Sequence, residues 1–167
     1  SEMCIRDRAT MVGHLFGYEA ARTIDNQAQP LRVAHAAIEQ AASEEFSGGD
    51  DIPADELLAK VRREVAEASS FFFAELRSGR LNGHLEAASA VRLAALFRYA
   101  LSEVPLDSYQ VEFGRVGTPA LVLDDLAAAL TVVIDELTRP IDAIKHQAKT
   151  VTVGISRSDE TLLEAPL

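Results

Sequence analysis

The chain has 167 residues, of which 48% are hydrophobic and 25% charged, and a formal net charge of −10. That balance suits one globular domain or a large piece of one, not a disordered segment. So acidic a body excludes non-specific binding to nucleic acid or to anionic membranes, which needs clustered Lys and Arg, and no apolar run reaches the roughly 18 residues of a bilayer span.

The first eight residues, SEMCIRDR, resemble the translated sequencing-adapter remnant found at the ends of metagenomic reading frames. Residues 1–8 are therefore read as a non-native leader; with no apolar core they are not a signal peptide. Cys4, the only cysteine, falls within them. A body without cysteine has no disulfide and no thiolate metal site, which fits a cytoplasmic protein.

From Met11 to Glu45 the composition is helical. Phe16, Ala20, Ile24 and Ala28 recur at the spacing of one helix face. Pro30 lacks an N–H and crowds the preceding turn, so it is expected to split the helix. The second piece, Leu31 to Phe46, turns Val33, Ala37 and Ile38 inward, and the run from Ser47 to Asp51 ends it. Asp51 and Pro53 suit the start of the next helix, whose stripe is Leu58, Val61, Val65, Ala68, Phe72 and Leu76. Gly79 sits where a left-handed cap belongs. Phe71, Phe72 and Phe73 face three directions, which implies burial on most sides of that helix. Asn82 is placed to cap a fourth helix running to about Val104, with Leu85, Leu93, Leu96, Phe97, Ala100, Leu101 and Val104 buried.

Tyr109 to Phe113 alternates apolar and polar residues as a half-buried strand does. After the turn Gly114 to Gly117, Thr118 caps and Pro119 opens a helix with the inner stripe Leu123, Leu126, Leu130, Val133 and Leu137. Thr138-Arg139-Pro140 interrupts it. A further helix runs to about Lys149, and Val151 to Ile155 reads as a second strand. The fold class expected is thus mainly α with a small β component, as helical layers around an incomplete βαβ unit. Residues 9–104 form a helical segment, and residues 105–167 a truncated strand–helix–helix–strand segment.

Arg139, Lys145, Lys149 and Arg157 make residues 139–157 the one basic island, opposed there only by Asp142. It runs into the hydroxyl-rich turn Ser156 to Thr161. In parallel α/β units ligands collect at the carboxyl ends of strands. The two such loops are Gly114 to Thr118, before a helix N-terminus, and Ser156 to Thr161, and both suit an anion. Each also reads as ordinary turn and capping chemistry, and Asp142 with Lys145 and His146 as ordinary surface pairing. The histidines, His14, His35, His84 and His146, lack metal-ligand spacing, so no metal site is expected, no cofactor is implied and no catalytic residue is assigned.

The turn SRSDET resembles the S-x-S-G-E-T phosphate loop of sugar isomerase (SIS) domains. The stretch LTRPIDAIKHQAKTVTVGISRSDE is similar to a segment of glucosamine-6-phosphate synthase-like proteins, and GYEAARTIDNQAQP and GHLEAASAVRLAALFRYAL look like further parts of the same multidomain relatives. These relatives are glutamine-dependent fructose-6-phosphate aminotransferases. The resemblance implies that the chain is a fragment of such a transferase of amino sugar biosynthesis, contributing helical scaffold and a sugar-phosphate site. By position, Ser156, Arg157, Ser158 and Thr161 would bind the sugar phosphate. Asp159 stands where the family has glycine, bringing negative charge to the loop and removing backbone freedom. No amidotransferase nucleophile is present, so the whole reaction is not expected of this piece. The alternative is a non-catalytic helical linker or interaction domain of a multidomain protein. A sugar phosphate, the rest of a parent chain and a second copy are the candidate partners.

Overall fold

A computed structural model describes the backbone of residues 2–48, 54–81 and 83–163, and the side chains of residues 11–43, 56–81, 83–142 and 144. The protein is mainly α, and the described residues contain no strand. The helices are α1 (Glu2–Gly48), α2 (Ala54–Ser78), α3 (Ala87–Ala100), α4 (Tyr109–Phe113) and α5 (Pro119–Leu163), with a 3₁₀ turn at Leu106–Ser108. They divide into two compact units, Gln27–Leu137 and the pair of stretches Ser1–Asn26 and Thr138–Leu167.

The unit Gln27–Leu137 holds the core. From α1 it takes Leu31, Ala34, Ile38 and Ala41, a stripe with steps of three and four. Leu57, Val61, Val65, Ala68 and Phe72 come from α2; Leu93, Leu96, Phe97 and Ala100 from α3. Val122, Leu123, Leu126, Leu130, Val133 and Leu137 come from α5. The stripes expected for α2 and α5 are largely those buried, except that Leu76 is exposed. Phe72 is fully buried between half-buried Phe71 and Phe73, and its ring lies 6.0 Å from that of Phe97.

Neither proline breaks its helix. Pro30 lies inside α1 and Pro140 inside α5. An interior proline forfeits one backbone hydrogen bond and costs about 3 kcal/mol. Around Pro30, fully buried Ala28, Leu31 and Ala34 hold the helical path, and the burial of Leu31 alone returns roughly 2 kcal/mol. Val33, expected inward, is exposed instead, because the packed stripe runs through Leu31 and Ala34.

The strand expected at Tyr109–Phe113 is helix α4, and the one expected at 151–155 is part of α5. A strand would put residues 109, 111 and 113 on one face; a helix puts 109 with 113 and turns 111 away. Tyr109 and Phe113 stack at 4.5 Å while Val111 is 91% exposed, so the helical pairing is the one made. Without strands there is no βαβ unit among the described residues.

The turn at the end of α2 is a Schellman cap. Gly79, at φ +66°, sends its N–H to the Leu76 carbonyl, and the Arg80 N–H reaches the Glu75 carbonyl. The Arg80 guanidinium then closes on the Glu75 carboxylate at 2.6–3.1 Å, where such caps more often carry an apolar contact. This contact, with the attraction of the Arg80 charge, lowers the Glu75 pKa. The end of α3 repeats the pattern with serine in the glycine position: Ser102 has φ +61°, and its N–H and that of Glu103 reach the carbonyls of Tyr99 and Arg98. A left-handed non-glycine residue carries about 1–2 kcal/mol of strain, part of which glycine would return as unfolded-chain entropy. Ser102→Gly should therefore raise the unfolding free energy by about 0.5–1 kcal/mol in urea titration, whereas Ser102→Val should lower it.

The start of α3 is Ala87, later than the expected cap at Asn82, which lies outside the described residues. The same holds for Asp51 and Pro53 before α2. Thr118 does cap α5 as expected, accepting the Leu121 N–H on Oγ1 at 3.2 Å.

In the other unit, Gly17 of α1 lies against Ile144 of α5, 3.4 Å from its Cγ2 to the position a Cβ would take. Gly17, Ala20, Ala21 and Ile24 are half-buried on that side of α1. Phe16, expected on the packed face, is 77% exposed.

Candidate functional site

The most concentrated polar chemistry in the described residues surrounds Asp125, on the first turns of α5. Asp125 is buried, at 8% exposure. The Tyr109 hydroxyl donates to Oδ2, and the Arg115 guanidinium reaches Oδ1 at 2.8 Å and Oδ2 at 2.6 Å. Arg92 of α3 adds a longer contact to Oδ1 at 3.3 Å. Burial alone would raise the Asp125 pKa; the hydrogen bonds from Tyr109 and Arg115 and the two arginine charges outweigh it and leave the carboxyl lowered. Tyr109 is held in the opposite sense, its hydroxyl pKa pushed well up by burial, then by its hydrogen bond to Asp125 and that carboxylate's charge. Tyr99, whose ring packs edge-on against Tyr109 at 5.0 Å, is raised by burial and by donating to Glu112 at 2.8 Å.

These groups answer one another. A carboxylate held ionised and a phenol held neutral do not exchange protons near neutral pH, so the pair is not poised as a general acid or base. Its effect is mechanical: one anion on α5 ties down α4, the turn that carries Arg115, and α3. Gly114 to Thr118, one of the two anion loops expected, is consumed here, since Arg115 is turned onto Asp125 and Thr118 onto the helix behind it.

A second buried carboxylate, Glu136 of α5, accepts the Glu86 N–H at 3.0 Å and the Ser89 hydroxyl at 2.7 Å. It caps α3 from outside, in place of the absent side-chain cap at Glu86. Between these two ties, α3 and α5 leave a shallow groove of about 380 Å³, lined by Ala88, Ser89, Arg92, Ala128, Ala129 and Val132.

The sugar-phosphate residues expected, Ser156, Arg157, Ser158 and Thr161, fall in the last part of α5, and their side chains lie outside the described residues, as do those of Lys145, His146 and Lys149. The strand expected before them is helix, so the backbone N–H groups there point along a helix axis toward carbonyls four residues back. Among the histidines, His35 pairs its Nε2 with the Thr131 hydroxyl at 2.9 Å, and its Nδ1 lies 3.5 Å from Glu39. The described residues contain no group of three side chains placed to hold a metal ion, and no helix among them is long and apolar enough to cross a membrane.

Sequence reasoning passed over Asp125 and Glu136. The signal was present: Asp125 falls three residues after Val122 and Glu136 three after Val133, both on the buried stripe. A carboxylate on an inward stripe must find donors: Asp125 takes Tyr109, Arg115 and Arg92, and Glu136 the Glu86 N–H and the Ser89 hydroxyl.

No family model, curated protein or solved structure matches the chain.

Proposed function

We propose that this chain is a non-catalytic helical interaction and linker module of a larger protein. One observation carries the reading: α1 is apolar on two opposite sides. Gly17, Ala20, Ala21 and Ile24 occupy the side toward α5, while Met11, Val12, Leu15, Phe16 and Tyr18 stand outward, each at least 60% exposed. An apolar stripe on each of two sides of a helix calls for a neighbour on each, and an uncovered patch of this kind marks a surface that meets something. The buried carboxylates Asp125 and Glu136, by contrast, are spent on internal ties, which suits a scaffold.

The competing reading is a sugar-phosphate site at Ser156, Arg157, Ser158 and Thr161 in a fructose-6-phosphate aminotransferase fragment. Thermal unfolding with fructose 6-phosphate or glucosamine 6-phosphate separates the two. The module reading expects no change in midpoint with either. A ligand at ~100 times its dissociation constant would add roughly 2.7 kcal/mol, and such a shift, abolished by Ser156→Ala with Ser158→Ala, would overturn the module reading.

A further inference from the structure

We infer that the outward apolar face of α1 is a self-association surface, covered by the same face of a second copy of this chain. The inference rests on the module reading and names its partner. The face is built from Met11, Val12, Leu15, Phe16 and Tyr18, with Phe16 the most exposed at 77%. Residues 11, 15 and 18 follow the four-then-three spacing of a helix-pairing seam, with Val12 and Phe16 along its flank.

Area and charge favour a second copy. Five large side chains this exposed present on the order of 600 Å² of apolar surface, the upper end of what a monomer leaves in one patch. Two such faces joined by a two-fold axis would bury at most about 1,200 Å², the lower bound of a specific interface. A two-fold contact sets a patch against its own copy, so the patch must carry no net charge. Residues 11–24 satisfy that condition: they carry one acid, Glu19, and one base, Arg22, which pair with each other at 3.8 Å. Residues 27–137 do not, holding nine Arg and Lys against eighteen Asp and Glu, a net −9. Two copies of that body repel. A basic partner would be drawn to the body, while the neutral apolar face is left to a neutral apolar partner, and its own copy is one.

An interface at the lower end of the size range suits a weak, reversible dimer. Sedimentation equilibrium of the whole chain from about 1 to 200 µM should show the mass rising from one chain to two. Leu15→Glu with Phe16→Glu should weaken association at least tenfold while leaving the far-ultraviolet circular dichroism unchanged, because both side chains are exposed and glutamate is a good helix former. Val111→Glu, at a 91% exposed site elsewhere, should leave the mass curve as it is. A chain that stays monomeric over the whole range overturns the inference, as does a dimer indifferent to the α1 pair. In either case, absence of a sugar-phosphate shift leaves the module reading standing with a different partner, whereas that shift would remove the module reading whatever the mass.

Discussion

Replacing Asp125 by Ala should lower the unfolding free energy by about 3 kcal/mol, among the largest losses available to a single polar side chain here. The change removes the acceptor of a fully buried tyrosine hydroxyl and the partner of two arginines. The orphaned Tyr109 hydroxyl accounts for about 1–3 kcal/mol. The arginines contribute less, since their side chains are about half exposed and water can solvate them when the carboxylate is gone. Asp125→Asn keeps an oxygen for Tyr109 and should lose roughly half as much. The pH dependence separates charge from shape. An unfolded aspartate titrates near 3.9, and Asp125 in the folded chain titrates lower. Its contribution is therefore complete above about pH 4 and is lost as the pH falls through the folded value. The gap between the native chain and Asp125→Asn, read from urea midpoints, should be constant from pH 5 to 8 and should close in acid. Tyr109 works at the other end. Its folded pKa is raised, so its contribution is complete below about pH 10 and is lost as the pH rises further. Tyr109→Phe should be less stable at neutral pH and should lack that alkaline decline. A constant gap down to pH 2 would show that Asp125 acts only by filling space.

The core helices were legible because their period repeats often enough to exclude other readings. Leu123, Leu126, Leu130, Val133 and Leu137 span four turns, and no strand pattern places all five on one face; all are buried. YQVEF spans five residues, for which periods of 2 and 3.6 predict nearly the same inward set. Only position 111 separates them, and tertiary packing of Tyr109 and Phe113 against Tyr99 decides it. At Pro30 a local rule was outweighed by neighbours: one forfeited hydrogen bond stands against a buried stripe that continues on both sides. Phe16 shows the reverse difficulty. Its spacing with Ala20 and Ile24 is correct for one face, but two faces of α1 are apolar, and hydrophobicity cannot say which one a neighbour covers. The place of Asp125 on the inward stripe could be read, but its partners could not, for another reason. Tyr109, Arg115 and Asp125 come together only once α4 is a helix, and a strand at 109–113 would have sent the tyrosine elsewhere.

Gly117→Ala should cost about 2–3 kcal/mol, more than Gly79→Ala, although of these two only Gly79 has a left-handed backbone. The contrast follows from what a methyl group would meet. At Gly79 nothing lies within 4 Å, so the penalty is the conformational one alone, about 1 kcal/mol. At Gly117 the new Cβ would sit 2.6 Å from the Tyr109 Cβ and 2.7 Å from the Leu106 carbonyl oxygen. Neither atom is the loose end of a side chain. The Tyr109 Cβ is fixed to the α4 backbone, and its ring is held by Tyr99 and Phe113 and its hydroxyl by Asp125. Relief must therefore come from moving the Gly114–Thr118 turn or α4 itself, and either motion pulls Tyr109 or Arg115 off Asp125. That coupling gives a sharper test than the size of the loss. In a double-mutant cycle, Gly117→Ala with Asp125→Ala should lose at least 0.5 kcal/mol less than the two single losses added, because the first change already loosens what the second removes. Strict additivity would mean that the turn absorbs the methyl group without disturbing the tyrosine, and that the glycine and the carboxylate serve α4 independently.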